Sequence, residues 1–177
     1  MLTEMRPRGS TWDADTAVEQ LYVAHWRQLV RLSALLVRDL GTAEEIVQDS
    51  FVALHDRWGK LRDPDKALAY LRQIVVNRSR SALRHRGVEA RHAPLPEVSP
   101  GSDDAALAHG RRDLVLEALR HLPDRQREVV ALRYYLDLSE ADIAGALGIS
   151  RGAVKSHSSR GLAALKLSLG PLLEDPS

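Results

Sequence analysis

The chain has 177 residues, with 25 Lys+Arg against 24 Asp+Glu and no cysteine. That length allows one or two small domains, and the missing cysteines exclude a disulfide scaffold and a cysteine-based zinc site. No apolar run approaches the ~20 residues that span a bilayer, and MLTEMRPRGS lacks the apolar middle of a signal peptide. A cytoplasmic chain without membrane insertion is expected, needing no cofactor and no metal. The formal net charge of +1 conceals segregation, because Arg57 to Arg91 holds ten Lys/Arg and three acids, a local charge of +7. Segregation of this kind is the electrostatic footprint of a nucleic-acid binder.

Met1 to Asp13 mixes proline, glycine and charge without a period and reads as a frayed tail. A long amphipathic helix is predicted from Asp15 or Thr16, with Val18, Leu21, Tyr22, His25, Leu29, Leu32 and Leu36 on one face and Gly41 as its stop. His25 has no nucleophile or metal-spaced ligand beside it and reads as a core or boundary residue. Thr42, with Glu45 three residues on, predicts a capping box and a second helix. That helix buries Ile46, Val47, Phe51, Leu54 and Trp58 and presents Glu44, Glu45, Gln48, Asp49 and Asp56. From charge alone, this acidic face is either simply solvated or a dock for a basic protein, and the first is the plainer reading.

The turn-rich stretch Gly59 to Pro64 follows, basic through Arg57, Lys60 and Arg62. A third helix is predicted over Asp65 to Arg86, with Leu68, Leu71, Ile74, Val75, Ala82 and Leu83 inside. Arg72, Asn77, Arg78, Arg80, Arg84 and Arg86 cluster largely elsewhere. A merely solvated face would carry interspersed acids, yet none occurs from Lys66 to Val88. The arginines suit phosphates, and Asn77 can make a two-point contact to an adenine-like edge.

Periodicity fails from Gly87 to Asp104, where APLPEVSPGSDD is proline-rich and locally acidic. The expected organisation is therefore a tail (1–13), a helical domain (14–87), a linker (88–104), a second helical domain (105–170) and a tail (171–177). The fold class is all-α. In the second domain, one helix closes at His121-Leu122 and another begins at Pro123, with Val129, Val130, Leu132 and Tyr134 as core.

Leu138 to Lys166 carries the clearest signal. Ser139 caps a helix, with Asp142 positioned to answer its free N–H groups and Leu138 stapling to Ile143. Gly148 supplies the left-handed stop. Ile149, Ser150 and Val154 then repeat the helix-start signature within about three residues, the spacing of a helix-turn-helix, whose second helix lies in the DNA major groove. That second helix has Arg151, Lys155, Arg160 and Lys166, the small polar Ser156, Ser158 and Ser159, and no acid from Ser150 to Gly170. An ordinary helical hairpin with a basic solvated face is the bland alternative.

Two helical domains with basic surfaces joined by such a linker resemble a bacterial RNA polymerase sigma factor of the short extracytoplasmic-function (ECF) type, of the sigma-E-like subgroup. TAEEIVQDSFVALHDRW resembles the family's polymerase-docking helix, DKALAYLRQIVVNRSRSALRHR its −10-reading helix, and LPDRQREVVALRYYLDLSEADIAGALGISRGAVKSHSSRGLAALK its −35-reading domain. The resemblance implies that Glu45, Gln48 and Asp49 meet core RNA polymerase, which favours the docking reading of the acidic face. It implies that the Trp58–Pro64 loop holds a flipped base, with Asn77 among the −10 contacts beside Arg57, Lys60, Arg62, Arg78, Arg80 and Arg84. It places −35 promoter DNA against Lys155, Ser156, Ser159 and Arg160, near Arg151. It also implies an anti-sigma partner and no catalytic residue.

Tyr70, Glu140, His157 and Ser159 depart from the family's usual residues, which bears on promoter preference rather than fold. The competing reading is a stand-alone helix-turn-helix transcription regulator with an N-terminal dimerisation or sensing domain, for which the +7 window would have no use. A serine recombinase would need an α/β catalytic domain, and the N-terminal half shows no strand alternation.

Overall fold

Helix α1 runs Thr11–Val37 and α2 Leu40–Arg57. The computed structural model describes residues 11–89 and 106–173. Two short 3-10 turns, Trp58–Lys60 and Pro64–Lys66, lead into α3, Ala67–Glu89. The second unit comprises α4 (Ala106–His121), α5 (Asp124–Val130), a π turn (Ala131–Tyr135), α6 (Glu140–Leu147) and α7 (Arg151–Leu173). There is no strand among the described residues. The predicted linker and both predicted tails lie largely outside them.

Helix α1 starts earlier than its sequence pattern predicts, at Thr11, and does not stop at Gly41. The chain turns at Arg38, which adopts φ 62, and Asp39 then caps α2. The Asp39 carboxylate accepts the backbone N–H of Thr42 at 2.8 Å, so the cap lies three residues before the predicted Thr42. Asp39 satisfies one of the free N–H groups of the first turn. Its hydrogen bonds with Thr42 hold its carboxyl below the ordinary value. Arg86 reaches back from α3 to lock this corner, donating to Val37 O at 3.0 Å and Thr42 Oγ1 at 2.6 Å.

In the first unit, Leu29, Leu32 and Leu36 of α1 interleave with Val47 and Leu54 of α2 and Leu71 and Val75 of α3, all essentially inaccessible to solvent. One polar pair sits within this packing, the Ser33 and Ser79 hydroxyls 2.9 Å apart. They satisfy each other at the α1–α3 contact, as buried hydroxyls must. In the second unit, Val129, Leu132, Ile143, Leu147 and Val154 are buried. Tyr134, predicted as core, is instead 56% exposed. The π turn closes on an i→i+5 hydrogen bond, Leu136 N–H to Ala131 O at 3.4 Å, enclosing one residue more than an α-helical bond, which changes the direction of successive side chains there.

The two units share one continuous apolar core. Helix α3 packs against α6, and α1 packs against α4, α5 and the π turn. Arg127 is 1% exposed and spans the junction. It donates to Leu122 O at 3.0 Å and Asp124 Oδ1 at 2.7 Å in its own unit, and to Leu36 O at 3.4 Å in the other. Arg38 also crosses, donating to Arg120 O at the end of α4. Desolvation by burial lowers the Arg38 pKa.

Candidate nucleic-acid interface

The helix-turn-helix forms as its sequence prescribes. Ser139 Oγ accepts the Asp142 N–H at 3.1 Å and lies 2.6 Å from the Asp142 carboxylate. Gly148 adopts φ 64, ψ 38, a conformation that costs glycine nothing. The Ile149 N–H returns to Ala144 O at 3.2 Å and closes the helix end. Ser150 Oγ then accepts the Ala153 N–H at 3.1 Å as the cap of α7.

Helix α7 divides its residues by the 3.6-residue period. Val154, Ser158 and Gly161 face inward and are buried. Arg151, Lys155, Ser159 and Arg160 are exposed, with Ser156 half-buried beside them. Four of the five predicted −35 residues thus lie exposed on one helix, at the spacing that presents side chains to a groove. Glu140, from the start of α6, lies 3.8 Å from Lys155 Nζ and 3.4 Å from Arg133 Nη1. A carboxylate on this otherwise basic surface was not anticipated from sequence, which marked Glu140 only as a departure from the family.

The predicted −10 residues divide into two sets. Arg57, Lys60, Arg62, Asn77, Arg78 and Arg84 are exposed. Arg57 donates to the Tyr70 hydroxyl at 3.2 Å, and Arg84 to Ser81 Oγ at 3.2 Å. Arg80 is not free. Its Nε donates to Glu128 Oε1 at 3.1 Å and its Nη2 to Glu128 Oε2 at 3.0 Å, so in this arrangement its guanidinium is held by a carboxylate. Arg86, grouped with the contact arginines by sequence, is committed to the α1–α2 corner. Arg72 is half-buried against α6, and that burial lowers its pKa.

Glu45, Gln48 and Asp49 are all exposed on α2. Asp49 lies 3.6 Å from Arg78 Nη1, so the acidic face of α2 and the basic face of α3 meet along one edge. This adjacency sets an acidic face beside a basic one on a single helical unit. Among the described residues no group of His, Asp and Glu could hold a metal ion, and no helix is long and apolar enough to cross a membrane.

Known proteins agree with this geometry. The family description "Sigma-70 region 2" matches residues 21–88, and "Sigma-70, region 4" matches residues 112–165. The chain is 37% identical over 139 residues to the RNA polymerase sigma-E factor of Streptomyces coelicolor, covering 78% of this chain and 77% of that one. It is 36% identical over 156 residues to the ECF RNA polymerase sigma factor SigM of Mycobacterium tuberculosis, covering 88% and 79%. A solved structure of the sigma factor RpoE with the anti-sigma factor NepR, from Bartonella quintana, shares the fold with a TM-score of 0.69 at 24% identity, over 86% of this chain and 96% of that one. The chain therefore belongs to the sigma-70 family as an ECF-type RNA polymerase sigma factor, a non-enzymatic protein that directs promoter-specific initiation of transcription.

Proposed function

We propose that α2 docks this chain on core RNA polymerase through Glu45, Gln48 and Asp49, while α3 and α7 read the two promoter elements. The single observation that supports this division most is the edge where Asp49 meets Arg78, which sets an acidic protein-facing surface against a basic DNA-facing one. The −10 set is Arg57, Lys60, Arg62, Asn77, Arg78, Arg84 and, once released, Arg80. The −35 set is Arg151, Lys155, Ser156, Ser159 and Arg160. The functional units are residues 14–87 and 105–170, working in the cytoplasm, where template and polymerase are found.

The physical logic is divided labour. Each basic strip alone would bind DNA weakly and in a salt-dependent way. Tethering the second strip after the first has bound raises its effective concentration without any new contact. The Trp58–Pro64 turn holds an extruded base, whose unstacking costs a few kcal/mol, and the nearby cations grip the single strand. Bond formation belongs to the polymerase.

An anti-sigma protein, of the kind solved with RpoE, is proposed as the regulator. A groove of about 620 Å³ between α1 and the second unit offers it a seat, apolar through Leu35, Leu116, Leu119 and Tyr134 and rimmed by Arg31 and Arg120.

The test is reconstituted transcription with purified core polymerase on genomic DNA. Position-specific transcripts that require the chain support the proposal. No transcripts and no co-elution with core polymerase, together with tight binding to a palindromic duplex, would replace it with the stand-alone regulator.

A further inference from the structure

Glu128 is an acid with nowhere to go. Its side chain is 4% exposed, and burying a carboxylate is costly unless it is paired and hydrogen-bonded. Within its own unit it meets one cation, Arg125, at 3.0 Å. Its remaining capacity is filled from the other unit by Arg80, in a parallel two-point pair. This is the geometry in which a guanidinium grips a carboxylate or a phosphate.

Farther along the same contact, Arg72 faces α6 across a small cleft of about 300 Å³ that includes Gln73, Leu138 and Asp142. The Arg72 Nε is buried with no hydrogen-bond partner. The junction therefore sets cations of α3 against acids of the second unit, paired at two points at Arg80 and with an unpartnered Nε at Arg72. The helix that contributes the cations has no acid of its own from Lys66 to Val88.

We propose that Glu128 stands in for a DNA phosphate, tying Arg80 to the second unit in the free chain so that α3 engages −10 DNA only after the two units part. This rests on the reading of α3 as the −10 helix. A buried ion pair suits such a latch, because its Coulombic gain is largely offset by desolvation. A phosphate can replace the carboxylate with charge-assisted bonds of the same kind. The unpartnered Arg72 Nε further limits the stability of the closed form and gains a water or phosphate partner on opening.

The experiment uses the full chain, whose lack of cysteine permits two introduced labels at exposed positions, Gln20→Cys in α1 and Leu167→Cys in α7. The separation is read by single-molecule energy transfer, and affinity is measured for fluorescent random-sequence single-stranded DNA. Glu128→Gln shifts the label separation to longer values and raises DNA affinity by at least about threefold, since apparent affinity scales with the open fraction. Arg80→Gln breaks the pair from the other side, so it lengthens the separation without the gain in affinity.

Wild-type separations in both single variants would overturn the latch, as would opening by Glu128→Gln with unchanged DNA affinity. Failure of the sigma-factor reading has a different signature, in which the labels part on Glu128→Gln while the wild-type chain yields no promoter-specific transcripts with core polymerase.

Discussion

Gly161 of α7 lies against Val130 of α5 so closely that a Cβ on Gly161 would sit 2.8 Å from Val130 Cγ2. Helix α7 is thus seated on its own domain by bare backbone. Gly161→Ala gains up to about 1 kcal/mol of helix propensity but forces an overlap that costs about 1–3 kcal/mol. The expected net effect is a lower urea midpoint with an unchanged slope. Gly145 of α6 is the matched control, exposed with nothing within 4 Å of a Cβ. Gly145→Ala should raise the midpoint, through a stability gain of about 0.5–1 kcal/mol.

Asp39 rather than Thr42 caps α2, so Asp39→Ala should cost about 1 kcal/mol, the usual loss for such a cap. Thr42→Val keeps the backbone N–H that Asp39 accepts but removes the hydroxyl that accepts from Arg86, so it should also destabilise this corner. The sign of the pH dependence follows from the depressed Asp39 pKa. Its contribution is present above the ordinary value of 3.8 and disappears as pH falls through the lower folded value. Acid unfolding of Asp39→Ala should therefore be shallower than wild type below that pH, as measured by circular dichroism.

His55 Nε2 lies 2.6 Å from Asp15 Oδ1, tying the end of α2 to the first turns of α1. The hydrogen bond to Asp15 raises the His55 pKa above its ordinary 6.5. The linkage sign is opposite to that of Asp39. The favourable pairing is complete below 6.5 and fades as pH rises through the elevated folded value. An NMR titration of the His55 ring should show a midpoint above 6.5 that falls toward it in Asp15→Asn. An unchanged midpoint in that variant would mean the pair does not form in solution.

The two proposed promoter contacts separate by assay. Lys155→Ala is expected to weaken −35 duplex binding roughly uniformly across sequences and to reduce its salt dependence by about one charge. Asn77→Ala is expected to spare duplex binding and slow strand opening, read by permanganate reactivity of unstacked thymines in the polymerase complex. Unchanged opening and duplex binding in both variants would remove these residues from the DNA surface. Glu140→Gln refines the picture. Freed of its acid neighbour at 3.8 Å, Lys155 should hold phosphate more firmly and make duplex affinity more salt-sensitive.

Signals confined to a few neighbouring residues were legible in the sequence. The Ser139 cap, the left-handed Gly148 and the Ser150 cap all formed where expected, because each depends on hydrogen bonds within about one turn. The start of α2 was misread because Asp39 and Thr42 are both competent caps, and the choice between them depends on Arg38 accepting φ 62. Tyr134 was misassigned because helical periodicity presumes 3.6 residues per turn, and the Ala131–Tyr135 segment is a π turn. Exposed candidate residues such as Lys155, Ser159 and Asn77 could be found from local charge and helical period. The commitment of Arg80 could not, since its partner is 48 residues away in sequence and composition alone records only that both residues are charged.

The shared apolar core has a thermal consequence. Parting the two units would expose carbon surface to water, and exposure of apolar surface raises heat capacity. A ligand that must first open the chain would therefore show a binding heat capacity less negative than its own contact area implies, because burial at the new interface is offset by exposure at the old one. A ligand that binds the closed chain would show the full negative value. Calorimetry at several temperatures could thus distinguish a partner that acts by opening the protein from one that acts by keeping it shut.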